Sequence, residues 1–234
     1  MRLFIVRHAD PDYPNNTITP TGHKEAQALV PRMVKLKPDR LYSSPLGRAI
    51  HTGQYTAKAL GMKLEIESWT QEIPGTDVEI DPWGRMVAWD VPGELIRAKR
   101  PLPKHDDWHT MEWFAKSTVR QSFEQLQKHS DEFLARHGYV REEGRYRCEK
   151  PHREKIVVFC HGGFGLTWLS HLLEIPLPLM WSAFWLAPTS VTTVLFDERS
   201  KKWAVPRCVG LCDVSHLYAA GMTTTPHGLK ANFE

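Results

Sequence analysis

Short apolar runs alternate with longer stretches of helical spacing along most of this chain. Leu3–Val6 is a continuous apolar run, the pattern of a strand buried on both faces. His23–Leu36 carries Ala26, Leu29, Val30 and Met33 at helical spacing, and Pro38 lies just beyond it. Arg40–Ser43 predicts a second strand and Pro45–Leu60 a second helix, with Gly61 as its stop signal. Lys63–Glu67 alternates polar and apolar residues and predicts a third strand. Val119–His137 predicts a long helix that turns Phe123, Leu126, Phe133 and Leu134 toward the core. Gly138–Pro151 reads as a short hairpin, Ile156–Cys160 as a strand and Gly165–Leu173 as the helix after it. Ser190–Phe196 and Trp203–Val209, joined by the polar run Asp197–Lys202, read as an antiparallel hairpin. The tail after Gly221 is weakly patterned and is expected to be mobile.

Strands alternating with helices predict an α/β fold. The expected architecture is a three-layer sandwich: a mostly parallel central sheet, helices on both faces and an antiparallel C-terminal hairpin. Residues 76–118 break the pattern. They hold Trp83, Trp89, Trp108 and Trp113, four prolines and the basic stretch Arg97–Arg100, without clear periodicity. This segment reads as an irregular insertion with short helices, a lid over the site within a single domain of residues 1–234. Its tryptophans are expected to pack the insertion onto the core or to form a homodimer contact. The alternative is that they cover an aromatic or apolar leaving group.

Composition narrows the function classes. Hydrophobic residues make up 41% and charged residues 24%, which places the chain among ordinary globular proteins. A net charge of +3 is too mild for a nucleic-acid partner, yet suits a small anionic substrate. Cys148, Cys160, Cys208 and Cys212 form no Cys-x-x-Cys pair, and no histidine spacing completes a zinc set, so no metal or other cofactor is expected. No basic leader and no run of membrane-spanning length is visible, so the expectation is a cytoplasmic protein with reduced thiols and no membrane partner.

Two apolar strands end in histidines, Arg7-His8 and His161-Gly162-Gly163. Strand ends in α/β proteins are where ligands bind. A neutral imidazole with one nitrogen protonated can attack phosphorus through the other, splitting one hard hydrolysis into two transfers. Arginine supplies a planar fork of donors that matches phosphate oxygens. Arg7 fits that role. Arg48 in Ser44-Pro-Leu-Gly-Arg48-Ala also fits it, near a helix start where amide groups attract anions. Gly162 and Gly163 permit close approach of backbone to an anion. Glu72, just after the third strand, is a candidate proton donor to a leaving alkoxide, with Asp77 and Glu79 as competing acids. Each feature alone has a bland reading, such as a solvated arginine or a tight turn.

The joint order of Arg7-His8, Ser43-Ser44-Pro-Leu-x-Arg48-Ala, Glu72 and His161-Gly-Gly resembles the histidine phosphatase superfamily, the phosphoglycerate-mutase-like proteins. Ile18-Thr19-Pro-Thr-Gly22, Thr189-Ser190-Val and Asp213-Val-Ser-His216 extend the resemblance over nearly the whole chain outside residues 80–118. The resemblance implies that His8 takes the phosphoryl group. It implies that Arg7, Arg48 and His161 bind the phosphoryl oxygens. Glu72 would donate a proton and then activate water, without a metal. Two departures stand out. The family's usual Arg-His-Gly is here Arg-His-Ala9. The family's phosphate-touching asparagine has no counterpart at the usual spacing, which leaves Asn15 or Asn16 as candidates, with Asn16 and Gly162 as the expected substrate-binding residues.

The expected activity is hydrolysis of a small organic phosphate ester through a phosphohistidine. One alternative is a phosphoglycerate mutase-type phosphotransferase, although that group's tyrosine-containing segment after the acid is absent. Another is a non-catalytic phosphate-binding member. A cysteine phosphatase is excluded because its Cys-x5-Arg loop would need arginine at position 166, which is Leu166. A Ser-hydrolase is excluded because no Gly-x-Ser-x-Gly occurs. His105 and His109 lack a third ligand and are read as surface residues.

Overall fold

The computed structural model describes residues 1–98 and 100–229. Strand β1 (Arg2–Arg7) leads through the small pair β2 (Pro11–Asp12) and β3 (Thr17–Ile18) into helix α1 (Pro20–Leu36). Strand β4 (Arg40–Ser43), helix α2 (Gly47–Leu60) and strand β5 (Glu65–Ile66) follow. Next come a hairpin, β6 (Asp77–Ile80) and β7 (Gly84–Val87), and two short helices, α3 (Gly93–Ala98) and α4 (Glu112–Ala115). The long helix α5 (Val119–Arg136) precedes a second hairpin, β8 (Tyr139–Glu142) and β9 (Arg145–Cys148). Strand β10 (Lys155–Cys160) is followed by helices α6 (Gly162–Leu173) and α7 (Leu177–Ala183). Strands β11 (Val191–Asp197) and β12 (Trp203–Asp213) and helix α8 (Ser215–Ala219) complete the described elements.

Eight strands form one sheet in the order β5-β4-β10-β1-β11-β12-β9-β8. From β5 to β1 the neighbours run parallel, and from β1 outward to β8 they run antiparallel. The expected α/β layering follows from the side-chain alternation of β1. Leu3 and Ile5 enter a core with Ile156, Val158, Phe164, Trp168 and Phe133, on the side of α5 and α6. Phe4 and Val6 enter a second core with Val157, Phe159, Leu29, Met33 and Ala57, on the side of α1 and α2. Both faces of the central strands are covered, which is why they read as unbroken apolar runs.

Local chemistry sets the helix starts. Thr19 caps α1 by accepting from the Gly22 amide at 3.0 Å, and Pro20 occupies the first turn, so the helix begins ahead of the predicted His23. Gly61 ends α2 with φ of 63°, as its position predicts. Helix α6 begins at Gly162, three residues before the predicted Gly165, because both glycines adopt helical backbone inside the first turn.

Three expectations change. Residues 76–118 are not wholly irregular: Val78 and Ile80 are buried while Asp77 and Glu79 are exposed, a strand alternation that pairs with Gly84–Val87. The run is only four residues long, too short to stand out as a period. Trp108 is core, packed on Phe114 and Phe123, whereas Trp83 is exposed. Lys99 of the basic stretch lies outside the described residues. The tail packs onto the molecule as far as Leu229: Thr225 donates to Glu25 and His227 pairs with Asp10 at 3.2 Å. Its residues beyond Leu229 lie outside the described residues. His105 and His109 are partly buried rather than surface residues, and Arg120 Nη1 donates to His109 at 2.9 Å. No helix among the described residues is long and apolar enough to cross a membrane.

Phe133 tests the layering. It is fully buried and lies against Tyr42 at 5.1 Å and Trp69 at 5.6 Å, tying α5 to the sheet. Phe133→Ala is expected to lower the urea midpoint by an amount worth about 3–5 kcal/mol with little change in slope. A loss below about 1 kcal/mol would place Phe133 outside the tightly packed core.

Candidate active site

Parallel pairing delivers the site residues to one edge of the sheet. Arg7 pairs with Cys160 and Phe159 with Ser43, so β1, β10 and β4 end at nearly one level. The residues just beyond those ends are His8, His161 and Ser44. Arg48 lies in the first turn of α2 after β4, and Glu72 follows β5 through a single 3-10 turn, Ser68–Thr70. Four parallel strands thus supply all five candidate catalytic residues.

Backbone bonds hold the His8 segment on both sides. The His8 amide donates to the Cys160 carbonyl at 2.8 Å, and the Thr189 amide donates to the His8 carbonyl at 3.3 Å. His8 Nδ1 lies 2.7 Å from the Ala9 carbonyl, an acceptor-only partner, so Nδ1 carries the proton and Nε2 keeps its lone pair. The Ala9 amide donates to Thr52 Oγ1 at 2.9 Å, and Thr52 Oγ1 donates to the Arg48 carbonyl at 2.7 Å, linking the His8 segment to α2. Ala9 lies outside the left-handed region and its methyl group is buried beside Ile18 and Ala26, which explains how alanine is accepted there.

The His8 and His161 rings meet at a tilted angle, with centroids 5.1 Å apart. His161 Nε2 lies 2.7 Å from Ser44 Oγ. Ser44 Oγ also accepts from the Leu46 amide at 3.2 Å and can donate its own proton to Nε2, the tautomer in which His161 Nδ1 carries the N–H. Arg7 Nη1 donates to the carbonyls of Leu186 at 2.5 Å and His227 at 3.0 Å, which fixes the guanidinium in place. Arg48 lies over the Tyr13 ring at 5.3 Å and donates to Asn16 Oδ1 at 3.4 Å. Arg7 Nε, Arg48 Nε and His161 Nδ1 are buried and find no acceptor among the described residues. Leaving one buried donor unpaired costs about 1–3 kcal/mol, and three at one site fit a group rich in oxygen.

Burial sets the protonation states. It holds both His8 and His161 well below the ordinary imidazole value, and the nearby guanidiniums push the same way, so both rings are neutral. Burial raises the Glu72 carboxyl, opposed by the Phe164 amide, which donates to Glu72 Oε1 at 2.7 Å, and by Arg48 and Arg7. A buried acid with a raised pKa can deliver a proton near neutral pH, and a neutral imidazole can attack an electrophile.

Arg7, His8, Arg48, Glu72 and Gly162 line one cavity of about 620 Å³. His161 is not on its wall; its ring packs against that of His8. Gly162 and Gly163 are needed for close approach: a Cβ on Gly162 would come within 3.3 Å of Arg7 Nε, and one on Gly163 within 2.7 Å of Trp89 and 2.9 Å of Glu72 Oε1. Asn16 stands beside Arg48 rather than on the cavity wall, and Asn15 turns away to bond Asp12. Asp77 pairs with Arg85 in the insertion hairpin, and neither it nor Glu79 lines the cavity, whereas Glu72 and Asp90 do. Among the described residues no group of three His, Cys, Asp or Glu side chains is arranged to hold a metal ion.

Sequence reasoning missed several participants. Ser44 belongs to the Ser-Ser-Pro motif, and nothing in the sequence shows that it lies against His161. Thr52, four residues after Arg48 on the same helix face, had a spacing signal. Tyr13, Leu166 and the 181–186 segment line the cavity, as do Gly228 and Leu229 of the tail. Nothing local in the tail sequence announces that contact.

The comparisons with known proteins fit this geometry. The model of the histidine phosphatase superfamily (branch 1) matches residues 3–208. A protein of Hydrogenobacter thermophilus named "Putative phosphoserine phosphatase 2" is 29% identical over 194 residues, which is 77% of this chain and 83% of that one. The crystal structure of a phosphoserine phosphatase mutant from Entamoeba histolytica, bound to phosphoserine, superposes with a TM-score of 0.60 at 20% identity, covering 92% of this chain and 98% of that one. A mycobacterial glucosyl-3-phosphoglycerate phosphatase bound to VO3 gives 0.54 at 16% identity, over 88% and 96% of the two chains. The structural likenesses carry the fold. The family match over residues 3–208, with the Arg7-His8, Arg48 and His161 arrangement inside it, makes this chain a member of the histidine phosphatase superfamily, branch 1.

Proposed function

We propose that this protein hydrolyses phosphate monoesters of small organic molecules through a phosphohistidine on His8. The observation that carries the reading is that two guanidiniums and the His8 imidazole line one cavity, with the His161 ring packed against His8 and three buried nitrogens, Arg7 Nε, Arg48 Nε and His161 Nδ1, without a hydrogen-bond partner among the described residues. The activities named for its relatives support the same reaction class.

In the first step Nε2 of His8 attacks phosphorus, and the bond to the ester oxygen breaks. Glu72 gives its proton to the departing alkoxide. Arg7, Arg48 and His161 stabilise the charge on the three equatorial oxygens, with Nδ1–H of His161 as one donor. In the second step Glu72, now a carboxylate, takes a proton from water as the water oxygen attacks phosphorus. The bond to His8 breaks, and phosphate leaves. Asn16 acts through Arg48 by holding its guanidinium, and Gly162 contributes space. The chain works as one domain, with residues 76–118 as its lid: Val87, Trp89 and Val91 from that segment stand on the cavity wall. Trp83, half exposed, is the insertion tryptophan suited to a homodimer contact.

Two outcomes follow from these roles. Arg48→Ala is expected to lower kcat by about 10²–10³-fold, because it removes a donor that acts on transition-state charge. Steady-state kinetics on a generic aryl phosphate measures it, and a change under about threefold would contradict the role. Glu72→Gln should hurt poor leaving groups far more than p-nitrophenolate, so the dependence of kcat/KM on leaving-group pKa steepens. A uniform loss would move the proton donor elsewhere.

The pH profile follows from the shifts. His8 must be neutral, and its lowered value keeps it so into the acid range, so the rate falls only at low pH. Glu72 must be protonated for the first step, so the rate with alkyl phosphates falls as pH rises through its raised value. Glu72→Gln should erase that alkaline limb while leaving the acid limb in place.

A further inference from the structure

The two arginines on the cavity wall are held in different ways. Arg7 donates to two backbone carbonyls, of Leu186 and His227. Arg48 is only 9% exposed, and its Nη1 donates to Asn16 Oδ1 at 3.4 Å, a long and therefore weak hydrogen bond. The Arg48 guanidinium also lies over the Tyr13 ring, 5.3 Å from its centre. Tyr13 lines the same cavity while half of its surface stays in solvent.

Tyr13 and Asn16 belong to one turn, between β2 and β3. The Asn16 amide donates to the Tyr13 carbonyl at 3.1 Å and closes it. Asn16 takes a φ of 49°, the left-handed conformation that asparagine adopts more readily than most residues. The turn is seated on the start of α2. A Cβ on Gly47 would come within 2.1 Å of the Asn16 carbonyl oxygen, and Thr17 Oγ1 lies 2.6 Å from His51 Nδ1 about one helical turn further on. These contacts fix the turn against the helix that carries Arg48. From the other side the His227 ring meets Tyr13 at a steep angle, with centroids 5.4 Å apart.

An aromatic face suits an arginine that must act on a phosphoryl group. A carboxylate partner would occupy the in-plane donors and offset the charge. A ring attracts the cation through its face, more strongly as water is removed, and leaves the N–H groups at the guanidinium edge available. We propose that Tyr13 is a positioning residue: its ring orients the Arg48 guanidinium for the phosphoryl oxygens without taking up its donors. This rests on the phosphatase reading of the same cavity.

The test is a double-mutant cycle: Tyr13→Leu and Tyr13→Phe, each alone and combined with Arg48→Ala, assayed on p-nitrophenyl phosphate and ethyl phosphate. Tyr13→Leu is expected to lower kcat by about 10-fold on both esters. Tyr13→Phe keeps the aromatic face and should recover most of that loss. In the Arg48→Ala background the further loss from Tyr13→Leu should stay below about twofold, because the group it orients is gone. Inorganic vanadate carries no organic group, and Tyr13→Leu should weaken its inhibition by about the same 10-fold. An unchanged kcat in Tyr13→Leu would overturn the proposal. So would a loss confined to the nitrophenyl ester with vanadate inhibition at wild-type strength, which would make Tyr13 a wall for the leaving group. An equal loss with and without Arg48, or no recovery in Tyr13→Phe, would overturn it as well. Each of these leaves the phosphatase reading standing. A folded wild-type protein that hydrolyses neither ester and binds no vanadate would remove that reading and the proposal with it. If Tyr13→Leu does not fold, Tyr13→Gln takes its place with the same expectations.

Discussion

Three strands that stop at one level hold this site together. Because β4, β10 and β1 pair in parallel, Arg7 lies opposite Cys160 and Ser43 opposite Phe159, so the three strands end within one residue of a common level. A residue placed one position past each strand therefore meets its counterparts without any long-range search. The pairing is rigid because both faces of the central strands are packed, Leu3 and Ile5 on one side and Phe4 and Val6 on the other. A one-residue slip of β1 would reverse all four side chains, so the core enforces the register that the chemistry needs.

The same burial that fixes geometry also fixes charge. Two arginines beside two histidines would repel protonated rings, and desolvation acts in the same direction, so both imidazoles stay neutral. Glu72 is raised by burial and lowered by the arginines, which leaves it protonated higher in pH than a free carboxyl. An imidazole that keeps its lone pair and a carboxyl that keeps its proton can thus coexist at one pH. Neither state needs a metal to create it. The cost is borne by buried nitrogens such as Arg7 Nε and His161 Nδ1, which have no hydrogen-bond partner among the described residues.

Much of this was legible in the sequence because it is local. Leu3–Val6 and Ile156–Cys160 announce two-faced burial, and a histidine after each marks the strand end. Glycines at 162 and 163 and the Ser44-Pro turn carry their own backbone logic. What sequence could not carry was contact between distant segments. Ser44 touches His161 across 117 positions, and the His227 carbonyl reaches Arg7 across 220. The hairpin at Asp77–Val87 was missed because four alternating residues are too few to establish a period. The tail looked mobile because its anchors, Thr225 on Glu25 and His227 on Asp10, are single polar contacts without hydrophobic patterning. Asn16 illustrates the reverse case: its side-chain oxygen accepts from Arg48, and it does not line the cavity.

The central claim is that the phosphoryl group passes through Nε2 of His8. The most direct measurement is rapid acid-free quenching of the enzyme with a ³²P-labelled aryl phosphate, followed by peptide mapping. The account predicts one alkali-stable, acid-labile label per active site, confined to the peptide containing His8 and absent from His8→Ala. A label on another residue, or undiminished turnover by His8→Ala, would contradict it.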